Sequence, residues 1–167
     1  MIGFYRQKSS NTEYIYKNKD GKSICRILVS KNGTFQHLVV EGMGLKLISD
    51  FDMEATLVSG IKRNIFSEEK RMGYLEYLGN RNLKLVCGET IFEISVSVDS
   101  YDFYKDKSHT AVIRRFWRKD ASAYEPDELP DFPIEVTENL SDEELLLVFA
   151  LPVLRFDFSI DEFECIT

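Results

Sequence analysis

The residues best suited to binding chemistry form one short basic and aromatic strip, which consists of Arg114, Arg115, Trp117, Arg118 and Lys119. Guanidinium groups can hold phosphate oxygens through paired hydrogen bonds, and an indole ring settles readily at a lipid interface. The strip therefore predicts a surface that binds anions or anionic lipid. The alternative is structural: the arginines would pair with the acidic residues between 125 and 144, and Trp117 would plug one end of the fold.

Groups suited to catalysis or metal binding are sparse and poorly spaced. Asp50, Asp52 and Glu54 could act as acid and base or hold Ca²⁺ weakly, but the same spacing is common in solvated loops. His37 and His109 belong to no metal-ligand spacing, and the glycine-rich phosphate and dinucleotide motifs are absent. The sequence thus predicts no catalytic residue, no metal site and no cofactor.

The three cysteines, Cys25, Cys87 and Cys165, are far apart and match no metal or redox spacing. Cys87 could in principle be a nucleophile with a distant histidine as base, but free cysteines are usually buried, so reduced core thiols are expected. The first ten residues lack the apolar segment of a signal peptide, and Ile2 excludes a myristoylation start. Together these features predict a cytoplasmic location.

The length and the charge of the chain limit the number of domains and the classes of partner that are expected. The 167 residues suit a single domain, and a net charge of −7 argues against general affinity for nucleic acid. Residues 1–119 carry 20 Lys and Arg against 14 Asp and Glu, a net +6, whereas residues 120–167 carry a net −13. Part of the acidic excess is expected to pack against the basic body, and the rest to form a solvated negative face.

Alternating apolar and polar residues dominate the first three quarters of the chain. Turn residues separate these segments, most clearly at Asp20-Gly21, Asn32-Gly33 and Gly79-Asn80. About ten short strands spaced by roughly 8–12 residues predict an antiparallel sandwich or barrel. Residues 55–59 and 110–117 are among the predicted strands, and Lys62-Arg63 is predicted to be a solvated hairpin tip.

A helix is predicted from Ser141 to about Leu151. Ser141 and Glu144 have the spacing of a capping box, in which each side chain bonds the other residue's backbone N–H. The ten residues that follow, Leu145 to Leu154, are all apolar, so the helix must be enclosed, although it is too short to cross a membrane. We therefore expect strands to bury the side chains from Leu145 to Leu151 on every side.

The segments beside this helix are predicted to be irregular or extended. Residues 119–140, which are rich in proline and acidic residues, are expected to form a loop. Pro152 should kink or end the helix, because its missing N–H and its ring both oppose helical geometry. The alternation from Leu154 to Ile160 then predicts one last strand.

This order of elements resembles the tubby C-terminal-like superfamily, and most closely the bacterial branch of its LURP-one-related family. The matching features are the three turn pairs, the segment Gly73-Tyr74-Leu75-Glu76-Tyr77 and the apolar helix. The resemblance implies a mainly β fold, an antiparallel barrel of about ten to twelve short strands around the helix at 141–151. Tubby-like proteins bind phosphoinositide head groups through basic residues, but no position of this chain can be matched to them.

Three functions follow from these features. The first is a non-enzymatic cytoplasmic binding module that recognises a protein partner or an anionic lipid surface. The second is a small enzyme with a pocket at the barrel mouth, using Asp50, Asp52 or Cys87. The third is an acidic inhibitor or immunity-type protein that covers a basic partner. We prefer the first, because no catalytic set of residues is recognisable and the charge is divided between two parts of the chain.

Overall fold

Twelve antiparallel strands close into a barrel around one helix in the computed structural model, which describes residues 2–10, 13–32, 35–51, 62–97, 100–114, 134–137 and 139–156. The strands are β1 (Ile2–Ser10), β2 (Glu13–Asn18), β3 (Ser23–Asn32), β4 (Phe35–Gly42), β5 (Leu45–Phe51), β6 (Lys62–Ser67), β7 (Lys70–Gly79), β8 (Asn82–Cys87), β9 (Thr90–Val96), β10 (Ser100–Lys105), β11 (Ser108–Arg114) and β12 (Ile134–Val136). The helix, α1, runs from Asp142 to Phe156. The predicted fold class is confirmed.

Strands that follow each other in the chain are neighbours in the barrel, and the short strand β12 closes it between β11 and β1. Val136 pairs with Ile2 on one side and with Ala111 on the other. Closure leaves no unpaired strand edge among these twelve, so their backbone polar groups are satisfied within the sheet. β12 lies inside the segment predicted as a loop from 119 to 140, so that prediction is wrong for residues 134–136.

Alternation along the strands sends apolar side chains inward and polar side chains outward. In β9, Phe92, Ile94 and Val96 are buried, whereas Glu93 and Ser95 between them are exposed. Most other strands follow the same period of two and supply the wall of a core that α1 fills from inside. β11 is different, because its four consecutive residues from 110 to 113 are all buried. Pattern and packing therefore agree over most of the described chain.

Tight turns cluster at one end of the barrel, which we call the cap end because the helix begins there. Alternate turns of an up-and-down barrel share an end, so those at 19–22, 43–44, 68–69, 88–89 and 106–107 lie together. The predicted turn at Asp20-Gly21 is confirmed, with Gly21 at φ 78° and Asn18 Oδ1 accepting from the N–H groups of Asp20 and Lys22. The turn at Asn80, with φ 50°, lies at the opposite end.

The helix begins with the predicted capping box. Ser141 N–H donates to Glu144 Oε2 at 2.9 Å, and Glu144 N–H donates to Ser141 Oγ at 3.2 Å. Leu140 and Leu145 flank the box at the spacing of a hydrophobic staple, and both pack against the core. These contacts fix the direction in which the chain turns into the barrel.

Strands enclose α1, as the apolar segment predicts. Six consecutive side chains are at most 3 % exposed: Leu146, Leu147, Val148, Phe149, Ala150 and Leu151. Leu145, at the cap end, is partly buried. Phe149 stacks on Tyr16 at 4.7 Å between ring centroids and meets Phe4 edge to face at 5.1 Å. The helix is therefore the centre of the core and not a covering on its surface.

Two predictions about the end of the helix are wrong. Pro152 does not end it, because α1 continues to Phe156, so residues 154–156 are helical where a strand was predicted. If the chain left helical geometry inside an apolar barrel, several backbone N–H and C=O groups would lose their hydrogen-bond partners. Proline, by contrast, removes only one hydrogen bond. Residues 157–160 lie outside the described residues.

Close backbone approaches require glycine at two strand positions. A Cβ atom at Gly42 would collide with the Ile24 carbonyl oxygen and lie 3.2 Å from Leu146 Cδ2 of the helix. One at Gly73 would overlap the Val86 carbonyl oxygen on the neighbouring strand. Gly42 thus makes room for α1, and Gly73 allows β7 to approach β8.

Candidate functional site

The basic and aromatic strip is only partly described. Arg114 is the last residue of β11, and its Nη2 lies 3.4 Å from Glu135 Oε2 on β12. This contact is the pairing with acidic residues that the structural alternative requires. The other four members, Arg115, Trp117, Arg118 and Lys119, lie outside the described residues, so lipid binding by the strip stays a prediction.

Of the three predicted carboxylates, Asp50 is described and Asp52 and Glu54 are not. Asp50 Oδ1 lies 2.5 Å from Nδ1 of His37 across the outer faces of β4 and β5. Ser30 is opposite His37 on β3, but in the described part of the chain no hydrogen bond joins its hydroxyl to the imidazole. The two paired side chains are 38 % and 50 % exposed on a convex surface, so they form a solvated polar contact and not an enclosed acid–base pair.

The second histidine makes the same kind of pair on another part of the outer face. His109 Nε2 lies 2.9 Å from Asp102 Oδ1, and Ser100 Oγ donates to the second oxygen of that carboxylate at 2.6 Å. Sequence reasoning missed both pairs because the partners are 13 and 7 residues apart. Only the register of neighbouring strands could have revealed them.

The most unexpected polar side chain is Arg63, which is fully buried. The prediction of a solvated hairpin tip at Lys62-Arg63 is wrong, because both residues belong to β6 and Arg63 faces inward like Ile65. Its Nε donates to Ser49 Oγ and its Nη2 to the Ser49 carbonyl oxygen, both at 3.1 Å. A buried guanidinium must be satisfied by such acceptors, because an unsolvated charge is costly.

A second buried polar cluster lies at the cap end, around Glu144. This carboxylate is bound to Lys105 Nζ at 2.6 Å and accepts from the Thr90 hydroxyl at 3.1 Å. Burial raises the pKa of Glu144, but hydrogen bonds from Lys105, the Ser141 N–H and Thr90, with the charge of Lys105, outweigh it and lower the pKa overall. The cluster ties the start of α1 to β9 and β10 and leaves the carboxylate ionised.

The two described cysteines are buried free thiols, as predicted. Burial raises the pKa of Cys25 to about 12. Burial, a hydrogen bond to Glu143 and the charge of that carboxylate raise the pKa of Cys87 to about 12 as well. Because a thiolate is the reactive form, a nucleophilic role for Cys87 finds no support here. Cys165 lies outside the described residues.

No metal site or membrane span emerges from the described ranges. Within them, no three His, Cys, Asp or Glu side chains come close enough to hold a metal ion. Nor is any helix among the described residues long and apolar enough to cross a membrane. What the geometry does offer is a filled interior and a varied outer surface.

Comparisons of this chain with protein-family models, with curated proteins and with solved structures find no match.

Proposed function

We propose that the protein is a non-enzymatic binding module that recognises a protein partner through the outer surface of the barrel. The observation that carries this proposal is the helix inside the barrel. Barrels that take a small ligand leave space for it between the strands. Here the side chains of α1 occupy the centre, and those from Leu146 to Leu151 are buried on all sides. A partner must then be recognised by the outer surface of the barrel.

A protein partner is favoured over an anionic lipid by the character of the described surface. Leu78 and Ile91 are 54 % and 47 % exposed, and Ile91 is in register with Val86 on the neighbouring strand. Apolar side chains that stand side by side on an outer face, as Ile91 and Val86 do, suit contact with a protein surface and cannot hold a phosphate. Arg114, the described member of the basic strip, already pairs with Glu135, which reduces its capacity to hold a phosphate.

Affinity capture with paired surface variants tests this function. The tagged wild-type chain, Leu78→Glu/Ile91→Glu and the control Ser95→Glu would be used to capture proteins from a lysate of the source organism. Ser95 is an exposed polar residue of the same strand as Ile91, so its substitution adds a charge without removing apolar surface. We expect one protein to be recovered with wild type and control and to fall at least about tenfold with the double variant. Equal recovery with all three would contradict the proposal.

Vesicle sedimentation separates the lipid alternative. The chain would be mixed with phosphatidylcholine vesicles with and without phosphatidylserine. Binding that requires phosphatidylserine and is lost in Arg114→Ala/Arg115→Ala would replace the protein partner with a lipid surface. No binding to either vesicle, together with specific capture, supports the protein partner.

We further propose remote membership of the tubby C-terminal-like superfamily and a cytoplasmic location. The strand count and the enclosed C-terminal helix are what that resemblance implies, and the two free buried thiols fit a reducing compartment. A fluorescent fusion followed in living cells tests the location. Enrichment at a membrane or outside the cell would contradict it.

A further inference from the structure

A run of apolar side chains crosses the outer face of the barrel, where polar residues are expected. On β3, β4, β5 and β6 it consists of four half-buried residues, each opposite the next in register: Leu28, Val39, Ile48 and Phe66. On β7, β8 and β9 it continues, one step further from the cap end, with three residues that are also in register: Tyr74, Val86 and Ile91. We call these seven residues the apolar band.

The two parts of the apolar band meet between β6 and β7. Tyr74 is opposite Asn64, which makes it the diagonal neighbour of Phe66, at a spacing that aromatic side chains can span. Arg71 lies at this junction, with its guanidinium carbon 5.7 Å from the centre of the Tyr74 ring and its Nε donating to Asn64 Oδ1 at 2.9 Å. The charge of Arg71 is therefore already engaged by neighbours on the same barrel.

The charges that border the apolar band balance one another. Among the outward strand residues beside it, four are positive and four are negative: Arg26, Lys46, Arg71 and Lys84, with Glu41, Asp50, Glu76 and Glu93. Glu41 contacts Arg26 at 3.1 Å and Lys46 at 3.7 Å. Lys84 lies between Glu76 and Glu93 in the register of the strands. A border of this kind favours a partner without net charge.

The curvature of the wall decides which shape of partner can cover the apolar band. In a twelve-strand barrel the wall turns by about 30° from one strand to the next, so the band follows roughly half of the circumference. A flat protein surface would touch only about two or three of these strands. A flexible segment can follow the curve, and segments that become ordered on binding wrap large surfaces in this way.

We propose that the apolar band binds an extended, uncharged segment of the protein partner, which wraps around the outer wall. This inference rests on the proposed function and specifies the chemistry of the partner. Seven strands spaced by about 4.8 Å make a path of about 29 Å, which roughly a dozen extended residues cover on the outside of the wall. Because successive side chains of an extended segment point to opposite sides, its apolar residues should occupy every second position.

The chain itself supplies no equally suitable occupant. Residues 157–167 include four acidic residues among eleven, so they would add four negative charges to a border that is already balanced. A second copy of the barrel would set one convex wall against another, and two such walls touch over few strands. An uncharged segment of another protein meets neither obstacle.

Selection from a displayed library of random linear peptides, each long enough to span the apolar band, tests the proposal with the intact chain as bait. We expect the recovered peptides to carry apolar residues at alternate positions and few charged residues. Recovery of predominantly charged peptides, or of no peptide that binds, overturns the proposal.

Fluorescence anisotropy of a recovered peptide then locates its binding surface. Ile48→Glu and Val86→Glu change the two parts of the band, and each should weaken binding at least about tenfold. Ser95→Glu, which changes an exposed polar residue of β9 outside the band, should bind like the wild type. Ile48→Thr and Val86→Thr, which suit a strand, should weaken binding in the same direction even if the glutamate variants fail to fold. Weakening at position 86 alone would confine binding to one part and overturn the wrapped segment.

Two further measurements distinguish the other occupants. Phe158→Glu/Phe163→Glu should leave the affinity for the peptide unchanged, and a gain of about tenfold would show that the C-terminal segment of this chain occupies the band. The affinity should also be independent of the concentration of the barrel, and a fall at high concentration would place a second copy there. Either of these results overturns the proposal.

The wrapped segment and the proposed function fail separately. If no linear peptide binds while Leu78→Glu/Ile91→Glu still reduces capture from the lysate, the partner is recognised as a folded surface and only the wrapped segment is wrong. If peptides bind the band as expected but no protein is captured, only the proposed function is wrong.

Discussion

Arg63 is the clearest case of a side chain whose role depends on its position and not on its type. In the sequence it follows Lys62 near a glycine, which is typical of an exposed turn. In the barrel it is fully buried and bonds the hydroxyl and the carbonyl oxygen of Ser49 on the adjacent strand. It therefore joins β6 to β5 from the inside, at the end of the barrel opposite the cap.

Arg63→Ala should destabilise the fold strongly. The substitution removes two hydrogen bonds that the charged guanidinium donates, leaves the Ser49 carbonyl oxygen without this donor and opens a cavity. We therefore expect the free energy of unfolding to fall by about 3 kcal/mol. Urea unfolding, with the midpoint and slope compared between variants, measures it. The control is Arg71→Ala, because Arg71 is exposed and contacts Asn64 and Tyr74 on the outer face. Equal small losses for both variants would contradict an internal role for Arg63.

Glu144 should make stability depend on acidity. The pKa of Glu144 in the folded state lies below the ordinary value of 4.5. The stabilisation that the ionised Glu144 gives to the folded state is therefore complete above the pKa of the unfolded chain. It is lost as the pH falls through the pKa of the folded state. Glu144→Gln should therefore cost about 2 kcal/mol at neutral pH. The difference from wild type should shrink as the pH falls below 4.5. Denaturant unfolding across this range measures the difference, and Glu89→Gln, exposed on the adjacent hairpin, should follow wild type throughout.

At the scale of elements, the residue types at the turn Glu68-Glu69 do not suit the backbone conformation of that turn. Both residues have positive φ, at 49° and 65°, a conformation that suits Asn and Gly. Glu68→Asn/Glu69→Gly should raise the free energy of unfolding by about 1 kcal/mol. Glu68→Gln/Glu69→Gln removes the same charges without changing the backbone preference. If this control gains as much stability, the effect comes from charge and the backbone argument fails.

Elements with a strong local signal were predictable from the sequence, and those that depend on distant pairing were not. The capping box and the apolar run indicated α1, and Asp20-Gly21 indicated its hairpin. β12 has only three residues, and the distant strands β1 and β11 hold it in place. The prediction at Pro152 was wrong for a related reason. The local preference of proline predicts the end of a helix, whereas the surrounding barrel favours continuation of α1.

At the scale of the whole molecule, part of the opposite charge of the two ends of the sequence is paired in the folded structure. Acidic residues of the C-terminal part meet basic residues of the body at Arg114–Glu135 and at Lys105–Glu144. Neighbours on the outer face were not predictable, because residues such as Leu28, Val39, Ile48 and Phe66 come side by side only through the register of four strands. They are separated in sequence by 9 to 18 residues, and nothing in the sequence alone links one to the next.

The enclosed helix should make barrel and helix unfold as one unit. Phe149 packs against Tyr16 of β2 and Phe4 of β1, so truncation removes contacts to the strands as well as to the helix. Phe149→Ala should cost about 4 kcal/mol, a large part of the total stability of a domain of this size. Ile91→Ala, on the exposed outer face, should cost far less. Amide hydrogen exchange would follow α1 and β9 separately. Because strands cannot keep an empty centre, we expect protection to fall equally in both; a barrel that stays protected while α1 exchanges freely would show that the helix is not its core.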